Sequence, residues 1–116
     1  MPRDYLQYLD DILDAVKRIV DFTADLSFKD FERDIKTQDA VLRNLQVIGE
    51  AVKVIPEEVK KSNPDIEWRK IAGLRDIITH LYFGIDNTII WDILTNKLGP
   101  LEKGIRQILH NYDEPV

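Results

Sequence analysis

The sequence predicts an all-α protein, an up-and-down bundle of about four main helices with a short extra helix and a kinked last helix. Three observations carry this expectation. Apolar residues recur at spacings of three and four through most of the 116 residues, which is the repeat of one helix face. No stretch alternates like a half-buried strand, and there is no internal repeat or low-complexity segment. The residues that open and close helices fall mainly between the periodic stretches.

Tyr5, Leu9, Ile12, Val16 and Ile19 define the first long helix, with Leu6, Leu13 and Val20 widening its apolar stripe. Asp10, Asp11, Asp14, Lys17 and Arg18 fall off that stripe and read as a solvated face. The period fails from Thr23 to Ser27, where Ser27-Phe28-Lys29-Asp30 has the form of a capping sequence for the short extra helix, pinned to the core by Phe28 and Phe31. Thr37 is the expected N-cap of a second long helix carrying Val41, Leu45, Ile48, Val52 and Ile55. Gly49 fits close packing there, and Arg43, Gln46 and Glu50 form a polar stripe assigned to solvent. Pro56 opens a helical turn and Asn63-Pro64 ends it. Trp68, Ile71, Leu74, Ile78 and Leu81 give a third main helix closing near Phe83-Gly84. Asp86 or Asn87 caps the last, which carries Ile90, Leu94, Leu98, Leu101, Ile105 and Ile108 and is expected to kink or break at Gly99-Pro100. One domain spans residues 1–116, with a loose tail from about residue 111.

Composition narrows the function classes. The 44% hydrophobic and 32% charged content fits a soluble globular protein. The start Met1-Pro2-Arg3-Asp4-Tyr5 does not resemble a signal peptide and no apolar run is long enough to span a bilayer, so a cytoplasmic protein without a membrane partner is expected. The absence of cysteine excludes disulfides, thiolate nucleophiles and cysteine-ligated zinc, and two histidines thirty residues apart make a poor metal site. Catalysis without a bound metal or cofactor is expected. The net charge of -5 counts against general coating of nucleic acid, although Arg69, Lys70 and Arg75 gather just before His80.

Polar, chemically capable residues are densest between Gly73 and Gly84, where Arg75, Asp76, Thr79, His80 and Tyr82 stand within eight residues. At 3.6 residues per turn, Asp76 and His80 share a face, while Arg75, Thr79 and Tyr82 stack along a neighbouring one. Arg75 and His80 diverge by roughly 140° on an ideal helix, so a second copy packed across a twofold axis is expected to complete the cleft.

Arg75, four residues, His80, one residue and Tyr82 resemble the R-x4-H-x-Y pattern of HEPN-domain proteins, specifically the HepT-like branch. The segments Arg43-Asn44-Leu45, Ile48-Gly49-Glu50-Ala51, Trp68 to Arg75 and Tyr82-Phe83-Gly84-Ile85-Asp86 extend the likeness over nearly the whole chain. Asp76 departs from the asparagine that the family often carries. The resemblance implies a homodimeric, metal-independent ribonuclease toxin that acts on RNA and is restrained by a nucleotidyltransferase antitoxin of the MntA type. It implies catalytic roles for Arg75 and His80, support from Asp76 and Thr79, and AMPylation at Tyr82. The alternative within the same fold is a noncatalytic HEPN scaffold or ligand-binding partner of a minimal nucleotidyltransferase. Without the resemblance, a half-buried His80 satisfied by Asp76 would be the better reading of that residue. Trp68 and Trp91 read as core anchors, and His110 as a surface residue near a helix end.

Overall fold

The structure, a computed structural model, describes residues 4–74, 76, 78 and 86–113. Among these the chain is all-α. Helix α1, Asp4–Thr23, presents Leu9, Ile12, Val16 and Ile19 to the core on the expected stripe. Leu6 and Leu13 pack at its edge, whereas Val20 is half exposed, because the stripe is narrower at its C-terminal end than the spacing alone implied. Helix α3, Ile35–Lys53, packs along α1 through Val41, Leu45, Ile48 and Val52, with Gly49 buried and Arg43, Gln46 and Glu50 facing solvent as expected. The core continues through Trp68, Leu74 and Ile78 to the last helical segment, which lies against α1.

The short helix α2, Phe28–Arg33, opens on a complete capping box: Asp30 N–H donates to Ser27 Oγ at 3.1 Å, and Ser27 N–H donates to Asp30 Oδ2 at 3.2 Å. Phe31 is fully buried and its ring lies 5.4 Å from that of Trp91, with Phe28 edge-on to the same indole at 5.9 Å. These contacts hold six residues that would not be helical alone. The cap of α3 is Asp34 rather than Thr37. A carboxylate three residues earlier is the stronger acceptor, and Thr37 donates both its N–H, at 3.0 Å, and its hydroxyl, at 2.6 Å, to it. Asp34 also closes α2, its own N–H donating to Phe31 O at 3.2 Å. Gln38, buried, secures the corner by donating to the Phe31 and Glu32 carbonyls at 2.8 and 3.0 Å.

Pro56 precedes helix α4, Glu57–Ser62, and Asn63 ends it. Asn63 O accepts from the indole N–H of Trp68 at 3.0 Å, which anchors the start of helix α5, Trp68–Ala72. Ile66, between the two, lies hard against Gly104; a Cβ at that glycine would sit 2.7 Å from its side chain. Helix α6, Asn87–Asp92, is capped by Asp86, whose carboxylate accepts from the Thr88 N–H at 3.0 Å and from the Thr88 hydroxyl.

The break expected at Gly99-Pro100 lies earlier: a π-turn, Ile93–Lys97, joins α6 to helix α7, Leu98–Asp113, which runs through both of those residues. Pro100 has no N–H for the carbonyl four residues back, and its ring would crowd it; the wider turn lies just ahead of that position. Leu98 N–H accordingly reaches back five residues to Ile93 O, and the Thr95 hydroxyl occupies Trp91 O at 2.8 Å. Ile93 takes the core position, and Leu94, expected there, is half-buried. The helix also continues to Asp113, beyond the loose tail expected from residue 111.

The caps give the fold an acid sensitivity. Hydrogen bonds from Thr37, the hydroxyl foremost, hold the Asp34 carboxyl below its usual value, and those from Thr88 do the same for Asp86. A depressed folded-state value means that their stabilisation is present above about pH 4 and is lost as pH falls through the lower folded value. The Asp34→Asn/Asp86→Asn double variant keeps capping side chains but cannot titrate there. Its melting temperature should fall less than the parent's on acidification below about pH 4; equal slopes would show that these caps carry no linked proton.

Candidate functional site

Leu74 and Ile78, four residues apart, are both buried, the spacing of one helix face. Asp76 lies between them and faces outward, exposed, with its N–H donating to Gly73 O at 3.0 Å. Arg75, Thr79, His80 and Tyr82 lie outside the described residues, as does the helix end expected at Phe83-Gly84. Asp76 is therefore the sequence-predicted site residue that the structure places, and it is exposed.

On the approach to it, Arg69 is exposed and makes no ion pair among the described residues. Lys70 instead pairs with Glu67 at 2.7 Å, and Lys97 of the π-turn approaches the same carboxylate at 3.9 Å. The Lys70 hydrogen bond and charge, then the Lys97 charge, hold the Glu67 carboxyl below its usual value, and Glu67 raises that of Lys70. These groups are exposed, so the bridge is readily exchanged for another partner. His110 is exposed, while Trp68 and Trp91 are anchored in the packing as expected.

A cavity of about 630 Å3 opens between the α5 region and the π-turn. Ile66, Leu74, Ile93, Leu98 and Leu101 give it an aliphatic floor. Asp65, Glu67, Lys70, Asp92, Asn96 and Lys97, all exposed, supply its polar edge, with Ile89 beside them. Asn96 Nδ2 donates to Asp92 Oδ1 at 2.6 Å. Asp92, Asn96 and Lys97 had no sequence assignment. Their one signal is the five-residue step from Ile93 to Leu98, which an α-helix would spread over about 140°.

No helix among the described residues is long and apolar enough to cross a membrane. A family profile described as ribonuclease HepT-like matches residues 12–108. A Methanocaldococcus jannaschii protein named "Putative RNase" is 46% identical over 97% of this chain and 94% of its own. A Thermococcus cleftensis protein named "Probable ribonuclease HepT" is 42% identical over 88% of this chain and 93% of its own. A further "Putative RNase", from Caldanaerobacter subterraneus, is 37% identical over 93% and 94% of the two chains. No solved structure matches the chain significantly.

Proposed function

The chain belongs to the ribonuclease HepT-like family, and from that membership we propose that it is a metal-independent ribonuclease toxin, a cytoplasmic homodimer restrained by a nucleotidyltransferase antitoxin. The observation that carries this reading is the Arg75 and His80 pair within the matched region, residues 12–108. RNA cleavage without a metal needs a proton taken from the 2′-hydroxyl, a proton given to the leaving 5′-oxygen and charge stabilisation at phosphorus. An imidazole transfers protons near neutral pH, which is the role of His80. Arg75 offers a planar, permanently charged fork to the phosphate oxygens. Asp76, outward-facing and one turn before His80 in sequence, orients the imidazole and favours its protonated form; Thr79 assists at the phosphate.

The net charge of -5 favours a second reading, a noncatalytic scaffold for the nucleotidyltransferase. Incubating the purified protein with total RNA in excess chelator separates the two. Cleavage is expected, and intact RNA at micromolar protein would leave the scaffold.

Regulation is assigned to Tyr82. Transfer of an adenylyl group from ATP to its hydroxyl, which loses its proton as pyrophosphate leaves, would place a phosphate and a base near Arg75 in the sequence, competing with RNA for the same guanidinium. Co-expression with a cognate nucleotidyltransferase should add AMP-sized mass to the Tyr82 peptide and none to Tyr82→Phe. Full inhibition of an unmodified protein would instead make binding alone the mechanism.

A further inference from the structure

We propose that the cavity between the α5 region and the π-turn seats one base of the RNA substrate, and that Asp92 and Asn96 select a base with an exocyclic amino group. The assignment rests on the ribonuclease reading above and adds a specificity determinant to it. Its volume of about 630 Å3 suits a nucleotide-sized ligand. Leu74 forms part of the floor, and Arg75, the proposed phosphate ligand, is the next residue in the chain. An aliphatic floor covers a base face without reading it, so selection falls to the polar edge.

That edge is rich in acceptors. Asn96 Nδ2 is committed to Asp92 Oδ1, which leaves Asp92 Oδ2 and Asn96 Oδ1 without a donor among the described residues. Adenine, cytosine and guanine each carry an exocyclic amino group, whose two N–H donors can fill both acceptors, whereas uracil has no amino group and offers only the single N3–H. Lys70 and Lys97, held loosely by Glu67, stand at the same opening and can exchange that carboxylate for the sugar-phosphate chain. The π-turn makes this possible: it brings Asn96, Lys97 and Leu98, three consecutive residues, to one cavity together with Ile93. Turns of this kind recur at functional sites.

The test titrates the four ribonucleoside 5′-monophosphates into the full chain and sequences the ends of cleaved total RNA. AMP, GMP and CMP should bind at least about fivefold more tightly than UMP, and cleavage should disfavour uridine at one position beside the cut. Asp92→Ala should level the four affinities and remove that bias. Ile89→Trp, placing an indole at a position 44% exposed, should weaken all four. Both changes are at exposed residues, and melting curves verify folding. Equal binding of UMP, or unchanged binding and bias in both folded variants, would overturn the proposal. The two readings fail separately: RNA cut without selective mononucleotide binding removes the base site alone, and selective binding without any cleavage removes the ribonuclease alone.

Discussion

RNA cleavage by His80→Ala should fall by about 10²- to 10⁴-fold, the range removed with a general acid or base, and Arg75→Ala should be comparably inactive. Helicity and melting temperature should stay close to the parent's, because residues placed for chemistry contribute little to stability. Loss of folding in both variants would return the motif to a structural role, and parental cleavage by both would remove the catalytic assignment. The roughly 140° between positions 75 and 80 on one helix adds a sharper test. If one site draws on two chains, mixing the two inactive variants restores part of the activity, since some heterodimers carry one intact composite site. Light scattering should show a dimer at micromolar concentration; a strict monomer would remove the composite site while leaving each single-variant result to be explained within one chain.

Phe31→Ala should destabilise the fold by about 3–5 kcal/mol, the cost of emptying a fully buried aromatic site. That is a large fraction of the roughly 5–15 kcal/mol that holds a domain of ordinary stability. Phe31 has no exposed surface, lies against Trp91, and is the one buried residue of its six-residue helix. Its carbonyl also accepts from Gln38, so displacement of the turn strands a buried amide. Phe28→Ala is the internal comparison: Phe28 touches the same indole but is only half-buried, and should cost less. Urea unfolding measures both, and a Phe31→Ala loss below that of Phe28→Ala would show that α2 is not an integral part of the core.

What the sequence disclosed depended on the range of the interaction. Leu9, Ile12, Val16 and Ile19, or Val41, Leu45, Ile48 and Val52, reveal their helices because burial repeats with the backbone period. The Ser27 capping box is equally local and was legible. Thr37 misled because it does take part in the cap, as donor to Asp34 rather than as the cap itself. Leu94 misled because a 3.6-residue repeat assumes an unbroken α-helix, and the π-turn shifts the inward position to Ile93. The Arg75 and His80 pair was legible as a motif with its flanking segments. The cavity was not: its walls come from residues 65–74 and 89–101, and only tertiary packing brings them face to face.

The corner at Asp34 has a consequence for how this chain can vary in length. Connections between helices ordinarily absorb insertions and deletions because a surface loop can lengthen at little cost. Here one residue ends α2 and begins α3, and Gln38 reaches back across it to two carbonyls. One residue added between Arg33 and Ile35 would break the Gln38 bonds or pull Phe31 from its seat, and one removed would leave two helix ends without their shared cap. The corner is therefore a place where a change in the residue count should cost more than it does in an ordinary helix connection.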